Sequence, residues 1–189
     1  ILANDMSKYV QFVAQKDFAV NESVQAESVE KKNLRKEIYG IVQNVKALLQ
    51  HADVTIPGKA ELEISHHYGI DKFYETGITM ITVVNREYCK KLIIVLPGQN
   101  HPEQYHKEKE ETFVVLHGEV ELSLDDSPSD FKRGDVITIE PGVRHAFTTS
   151  TGCIIEEVSS THYKDDSFYT DQKIHDNKNR KTFITHWMD

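Results

Sequence analysis

From residue 61 onward the chain is a succession of short, β-branched apolar runs, each closed by a turn signal. ELEIS (61–65), ITMITVVN (78–85) and KKLIIVLP (90–97) come first, and Pro97-Gly98 ends the third. ETFVVLHGEVELSLD (111–125) reads as two strands that turn at Gly118, followed by a polar turn from Asp125 to Gly134. DVITIEP, HAFTTS and CIIEEVSS complete the series. Many short strands at this spacing bury their apolar faces best in an antiparallel barrel or jelly roll.

The residues before Pro57 follow a different period. Leu34, Ile38, Ile41, Val42, Val45, Leu48 and Leu49 fall on one face of a helix. Ser28 or Asn33 is an acceptable N-cap, and the helix is expected to end near His51–Asp53. Residues 1–27 are polar and read as a loosely attached arm. The expected organisation is therefore an arm and helix over 1–56, packed on a barrel over 57–189. The segment after His162, with Phe168, Tyr169, Phe183 and Trp187, is expected to wrap over that barrel.

Composition removes several function classes. No apolar run approaches the roughly 18 residues of a membrane span. A net charge of −8 and the lack of a basic stripe argue against nucleic acid. Cys89 and Cys153 each sit in an apolar strand context and read as buried reduced thiols, which suits a cytoplasmic protein. The sequence begins at Ile1 and reads as a piece of a longer polypeptide.

Ten histidines are many for 189 residues, and their placement narrows the chemistry. In QYHKEKEETFVVLHG (104–118), Gln104 and His106 are two apart, a spacing that puts both on one face of a strand. Glu111 opens an apolar strand, where an inward carboxylate without a partner is costly. A metal ion removes that cost. In GDVITIEPGVRHAF (134–147), Pro141-Gly142 form a turn and His145 starts the next strand. Gln104, His106, Glu111 and His145 can then converge on one divalent cation. His101 is a candidate to replace Gln104, although its place before Pro102 suggests a turn. His66 and His67 read as surface or packing residues, with one of them an alternative candidate to line the mouth, and His117 as a turn residue.

These two segments resemble the paired motifs of the cupin superfamily. That family has His-x-His, three or four residues, Glu, six residues, Gly; then Gly, five residues, Pro-x-Gly, two residues, His. Here four residues separate His106 from Glu111 and six separate Glu111 from Gly118. Gly134, Gly142 and His145 keep the second spacing, with Glu140 where the family has Pro. Gln104 stands in place of the first His. Gln-x-His with a later Glu and His also resembles the zinc site of cupin-type phosphomannose isomerases. A set of two His, one Glu and one Gln suits Mn, Zn, Fe or Co.

The resemblance narrows further. The stretch 84–113 is similar to cupin-type D-lyxose isomerases, in its lead into Tyr88-Cys89, its Pro-Gly-Gln, and its Lys109-x-Glu111-Thr-Phe. GCIIEEVSSTHYKDDSFYTD (152–171) resembles that family's Glu-x-Ser-Ser-Thr segment. The run 65–92 also resembles cupin domains attached to sialic acid synthase-like proteins. The first resemblance implies a metal-dependent aldose–ketose isomerase of a small sugar, with Lys109 and Glu157 as its acid–base pair. A lysine beside a dication has its charged form disfavoured, which would tune Lys109 toward proton transfer. The bland alternatives are an exposed loop lysine for Lys109 and an orienting partner of a ligand His for Glu157. The second resemblance implies a non-catalytic or regulatory sugar-binding domain. A metal-dependent oxygenase shares only the fold. Cupins often pair, so a homodimer is also an expectation.

Overall fold

The computed structural model describes residues 29–58, 60–185 and Trp187. The expected arm over 1–27 and the N-cap candidate Ser28 lie outside the described residues. Helix α1 runs over 29–51, with Ile41, Val42, Val45 and Leu49 buried. Leu34, expected on the buried face, is exposed. The chain separates into two compact units between Ile41 and Val42. In the second unit, Asn44 on α1 donates to the Tyr74 hydroxyl at 3.1 Å, and the His51 ring meets His117 edge to face.

The strands are β1 (Glu61–Ser65), β2 (Ile78–Asn85), β3 (Tyr88–Val95), β4 (Asn100–Tyr105), β5 (Glu111–Leu124), β6 (Ser127–Lys132), β7 (Val136–Ile139), β8 (His145–Thr148), β9 (Cys153–Ser160), β10 (Phe168–Tyr169) and β11 (Lys181–Ile184). Short helices α2 (Phe73–Thr76) and α3 (Gln172–Asp176) sit in the connections. The described pairs are antiparallel, in the order β10-β4-β8-β5-β9-β3-β2-β1-β11, with β6 and β7 also on β5. The C-terminal segment thus joins both ends of the sheet, β10 on β4 and β11 on β1.

β5 links the two halves of the curled sheet. Its first half pairs β7 and β9, and its second half pairs β6 and β8. The expectation of two strands turning at Gly118 is corrected: one continuous strand bends there. A register shift lies between Val115 and His117, and Gly118 has φ 76°. A Cβ at Gly118 would lie 2.1 Å from the Gly152 carbonyl oxygen, so the two strands cross at a distance only glycine permits. His117 accordingly lies within a strand, not a turn. The expected turn from Asp125 to Gly134 is likewise a hairpin strand, β6, whose polar residues suit an exposed edge.

The inward faces form layers. One layer is apolar, including Ile93, Phe113, Phe147 and Ile155. Two residues further along the same strands, toward one mouth, stand Lys91, Glu111, His145 and Glu157, all buried. Period-2 alternation places each on the face of its apolar neighbour. Cys89 and Cys153 are buried and unbridged, and burial pushes the Cys153 thiol up to about 12.

Candidate functional site

The polar layer of β3, β5, β8 and β9 is joined by Gln104 of β4. Gln104 pairs with His145 across β4 and β8, and Glu111 pairs with Ser159 across β5 and β9. His106 lies one residue past the end of β4, so its position is not set by strand alternation. Two other contacts fix it. Its backbone carbonyl accepts from the Gly142 N–H at 2.6 Å, joining the two sequence motifs directly. Its Nδ1 bonds the carbonyl of Asp166.

His106, Glu111 and His145 each present a ligand atom, and these atoms lie within 4.8 Å of one another. His106 Nε2 is 3.5 Å from Glu111 Oε1, and His145 Nε2 is 3.4 Å from Glu111 Oε2. His145 Nδ1 bonds the Val143 carbonyl at 3.1 Å, which turns Nε2 toward the cluster. The Gln104 amide lies 3.4 Å from His145 Nε2.

Several of these atoms have no hydrogen-bond partner. His106 Nε2, Glu111 Oε2 and Gln104 Oε1 are all buried and unsatisfied. Leaving such groups unpaired costs roughly 1–3 kcal/mol each, and three in one place point to a shared missing partner. Burial pushes the Glu111 carboxyl up, but Lys109, His106 and His145 outweigh it and hold it well below the usual range. Burial pushes the His145 imidazole down, toward the neutral form that ligates metals. An ionised carboxylate, two imidazoles and an amide oxygen fit a divalent cation of the Mn, Fe, Co or Zn kind.

Behind the cluster lies a buried chain of alternating charge. Lys109 Nζ contacts Glu111 Oε1 and is 3.1 Å from Glu157 Oε1. Glu157 Oε1 also accepts from the Ser159 hydroxyl at 3.0 Å and lies 3.7 Å from Lys91 Nζ. Lys109 is 3% exposed, so it is no surface lysine. Burial opposes its charge, but Glu111 and Glu157 outweigh burial and raise the ammonium above its ordinary range. The two carboxylates act in the sense opposite to that of a neighbouring dication. Glu157 touches two lysines and a serine rather than a ligand histidine.

Sequence reasoning missed Asp166. Its carboxylate accepts backbone N–H groups of Lys107, Glu108 and Lys109 at 2.9, 3.2 and 3.0 Å. Together with its carbonyl on His106, it clamps the loop that carries Lys109. The Asp165-Asp166 pair was visible, but nothing local links it to a loop nearly sixty residues earlier. His101 is corrected from a turn to β4, where its ring stacks on Phe147 at 4.5 Å. It lines the same cavity but stays outside the ligand cluster. His66 and His67 are buried packing residues; His67 bonds the Thr76 carbonyl and the Tyr169 hydroxyl.

The comparisons agree with this architecture. Residues 91–154 match the family model described as Cupin domain. The barrel, that match and the paired motifs agree on a cupin fold. Its curated relatives include the D-lyxose/D-mannose isomerase of Thermosediminibacter oceani, 27% identical, aligned over 74% of this chain and 94% of that protein. They also include the D-lyxose ketol-isomerase of Thermofilum sp., 27% identical over 64% of this chain and 83% of that one. Among solved structures, Cellulomonas parahominis L-ribose isomerase with L-ribose superposes with a TM-score of 0.64 at 15% identity. It covers 75% of this chain and 94% of that one, a likeness of fold.

Proposed function

We propose that the chain is a metal-dependent aldose–ketose isomerase of a small sugar, with Gln104, His106, Glu111 and His145 as metal ligands. The observation that carries the reading is the buried Lys109–Glu157 pair beside a cluster of unsatisfied ligand atoms. Curated relatives named as D-lyxose isomerases support it. A bound divalent cation would supply Lewis acidity toward the carbonyl and neighbouring hydroxyl oxygens of an open-chain sugar.

The protein's own groups do the proton work. Glu157 takes the proton from the carbon beside the carbonyl and returns it to the adjacent carbon, which exchanges aldose for ketose. Its partners Lys91 and Ser159 hold Oε1 in place during that exchange. Lys109, an ammonium between two carboxylates, gives a proton to the carbonyl oxygen as charge develops there and takes one back from the neighbouring hydroxyl, so that both groups end as they began. Asp166 keeps the 107–109 backbone fixed so that Lys109 reaches that oxygen. The cavity these residues line is about 30 Å3, room for roughly a water molecule.

A screen of pentoses and hexoses against fully metallated protein, read by aldose–ketose interconversion, tests the reading. Turnover of at least one sugar is expected. Binding with no turnover on any sugar would instead favour a non-catalytic sugar-binding domain.

A further inference from the structure

We infer that the substrate of this site carries an anionic group, a carboxylate or a phosphate, at the end away from its carbonyl; this rests on the isomerase reading of the inner cavity. A second, open recess of about 530 Å3 adjoins that cavity, and His162 and Lys181 line both. The recess has the volume of an ordinary small-ligand site, whereas the inner cavity does not. A sugar with its carbonyl end at the ligand cluster therefore extends past His162 and Lys181 into the recess.

The charge of the recess is opposite to that of the chain. Lys164, Lys178, Arg180 and Lys181 line it, against Glu61 and Glu63, an excess of two positive charges. The whole chain carries −8. Glu63 is already engaged, with Lys181 at 2.7 Å and the Ser65 hydroxyl at 2.8 Å.

Two atoms in this wall also lack partners. Arg180 Nη1 and His162 Nδ1 are buried without a hydrogen bond. The Arg180 guanidinium lies 4.9 Å from the centre of the Tyr169 ring, and Tyr169 forms part of the inner cavity's wall. Arg180 thus stands at the junction of the two spaces, its planar fork stacked on an aromatic ring and one donor unspent. A stacked guanidinium with an open donor is suited to a carboxylate or phosphate. Lys181 and Lys164 add charge without needing that geometry. A neutral sugar would leave the excess charge uncompensated.

The test measures binding and turnover of matched sugars by the metallated full chain. D-ribose 5-phosphate and D-glucuronate are compared with D-ribose and D-glucose, at low and high salt. At least one charged sugar is expected to bind ten-fold or more tightly than its neutral parent. Raised salt should narrow the gap, because part of it is Coulombic. The phosphate and carboxylate arms identify which anion is used. Arg180→Gln should bring the charged-to-neutral ratio toward one. Lys164→Ala, at an exposed position, should lower the same ratio without risk to folding. Equal affinity for charged and neutral sugars, or a ratio that neither variant changes, overturns the inference. Turnover of neutral sugars only, at equal affinity, would leave the isomerase reading intact. Tight, Arg180-dependent binding of a charged sugar with no turnover of any sugar would sustain the anion site and remove the isomerase.

Discussion

The backbone carbonyl of Asp166 accepts the Nδ1–H of His106, which leaves His106 Nε2 directed at Glu111. A candidate ligand histidine is thereby held in one tautomer by a residue sixty positions later in the chain. The same residue's carboxylate caps three successive N–H groups of the loop between His106 and Glu111.

Asp166→Ala is expected to weaken metal affinity by roughly 10–100-fold, the usual scale for losing a group that orients a ligand. Asp166→Asn keeps one acceptor oxygen and should fall between the two. Titration with a competing chelator reads both. Wild-type affinity in the alanine variant would show that the clamp does not position the ligands.

Glu157→Gln is expected to lower turnover by about 10²–10⁴-fold with the metal still bound, since a positioned base contributes on that scale. The Michaelis constant should change less than kcat, because the lost interaction belongs to the transition state. A variant with wild-type kcat would remove Glu157 from the proton path.

Much of this was legible in the sequence because it follows strand period. Glu111 at the head of ETFVVL points inward by alternation, whereas Glu157 stands out through the resemblance of its Glu-x-Ser-Ser-Thr segment, and the structure buries both. The runs 61–65, 78–85 and 153–160 are strands at those bounds. What was not legible depends on long-range contact or on edge position. SPSDFK looks like a loop because an exposed edge strand needs no apolar face, yet its backbone pairs fully with β5. Pro102 suggested a turn, but β4 has a register irregularity between His101 and Gln104 that accommodates it. Asp166 acts on a loop that no local pattern connects to it.

His67 gives the protein a pH-dependent stability. Burial lowers its imidazole from the ordinary 6.5 to about 4, while its bond to the Thr76 carbonyl acts weakly the other way. The unfolded chain therefore binds more protons than the folded one between about pH 6.5 and pH 4. Stability is fully present above that window and falls as pH drops through it, by about 3 kcal/mol from this residue. His67→Gln can keep hydrogen bonds to Thr76 and Tyr169 but cannot titrate. Urea unfolding at pH 7 and pH 4 should show a smaller loss for the variant; equal losses would exclude His67 as the source.

The most direct measurement is sugar isomerisation by chelator-treated protein as Mn2+ is added back. Negligible turnover is expected at the start, then a linear rise and a break at one equivalent. The break should be lost when His106 and His145 are both replaced by alanine. Turnover that is full before any metal is added, or absent on every sugar at saturating metal, would contradict it.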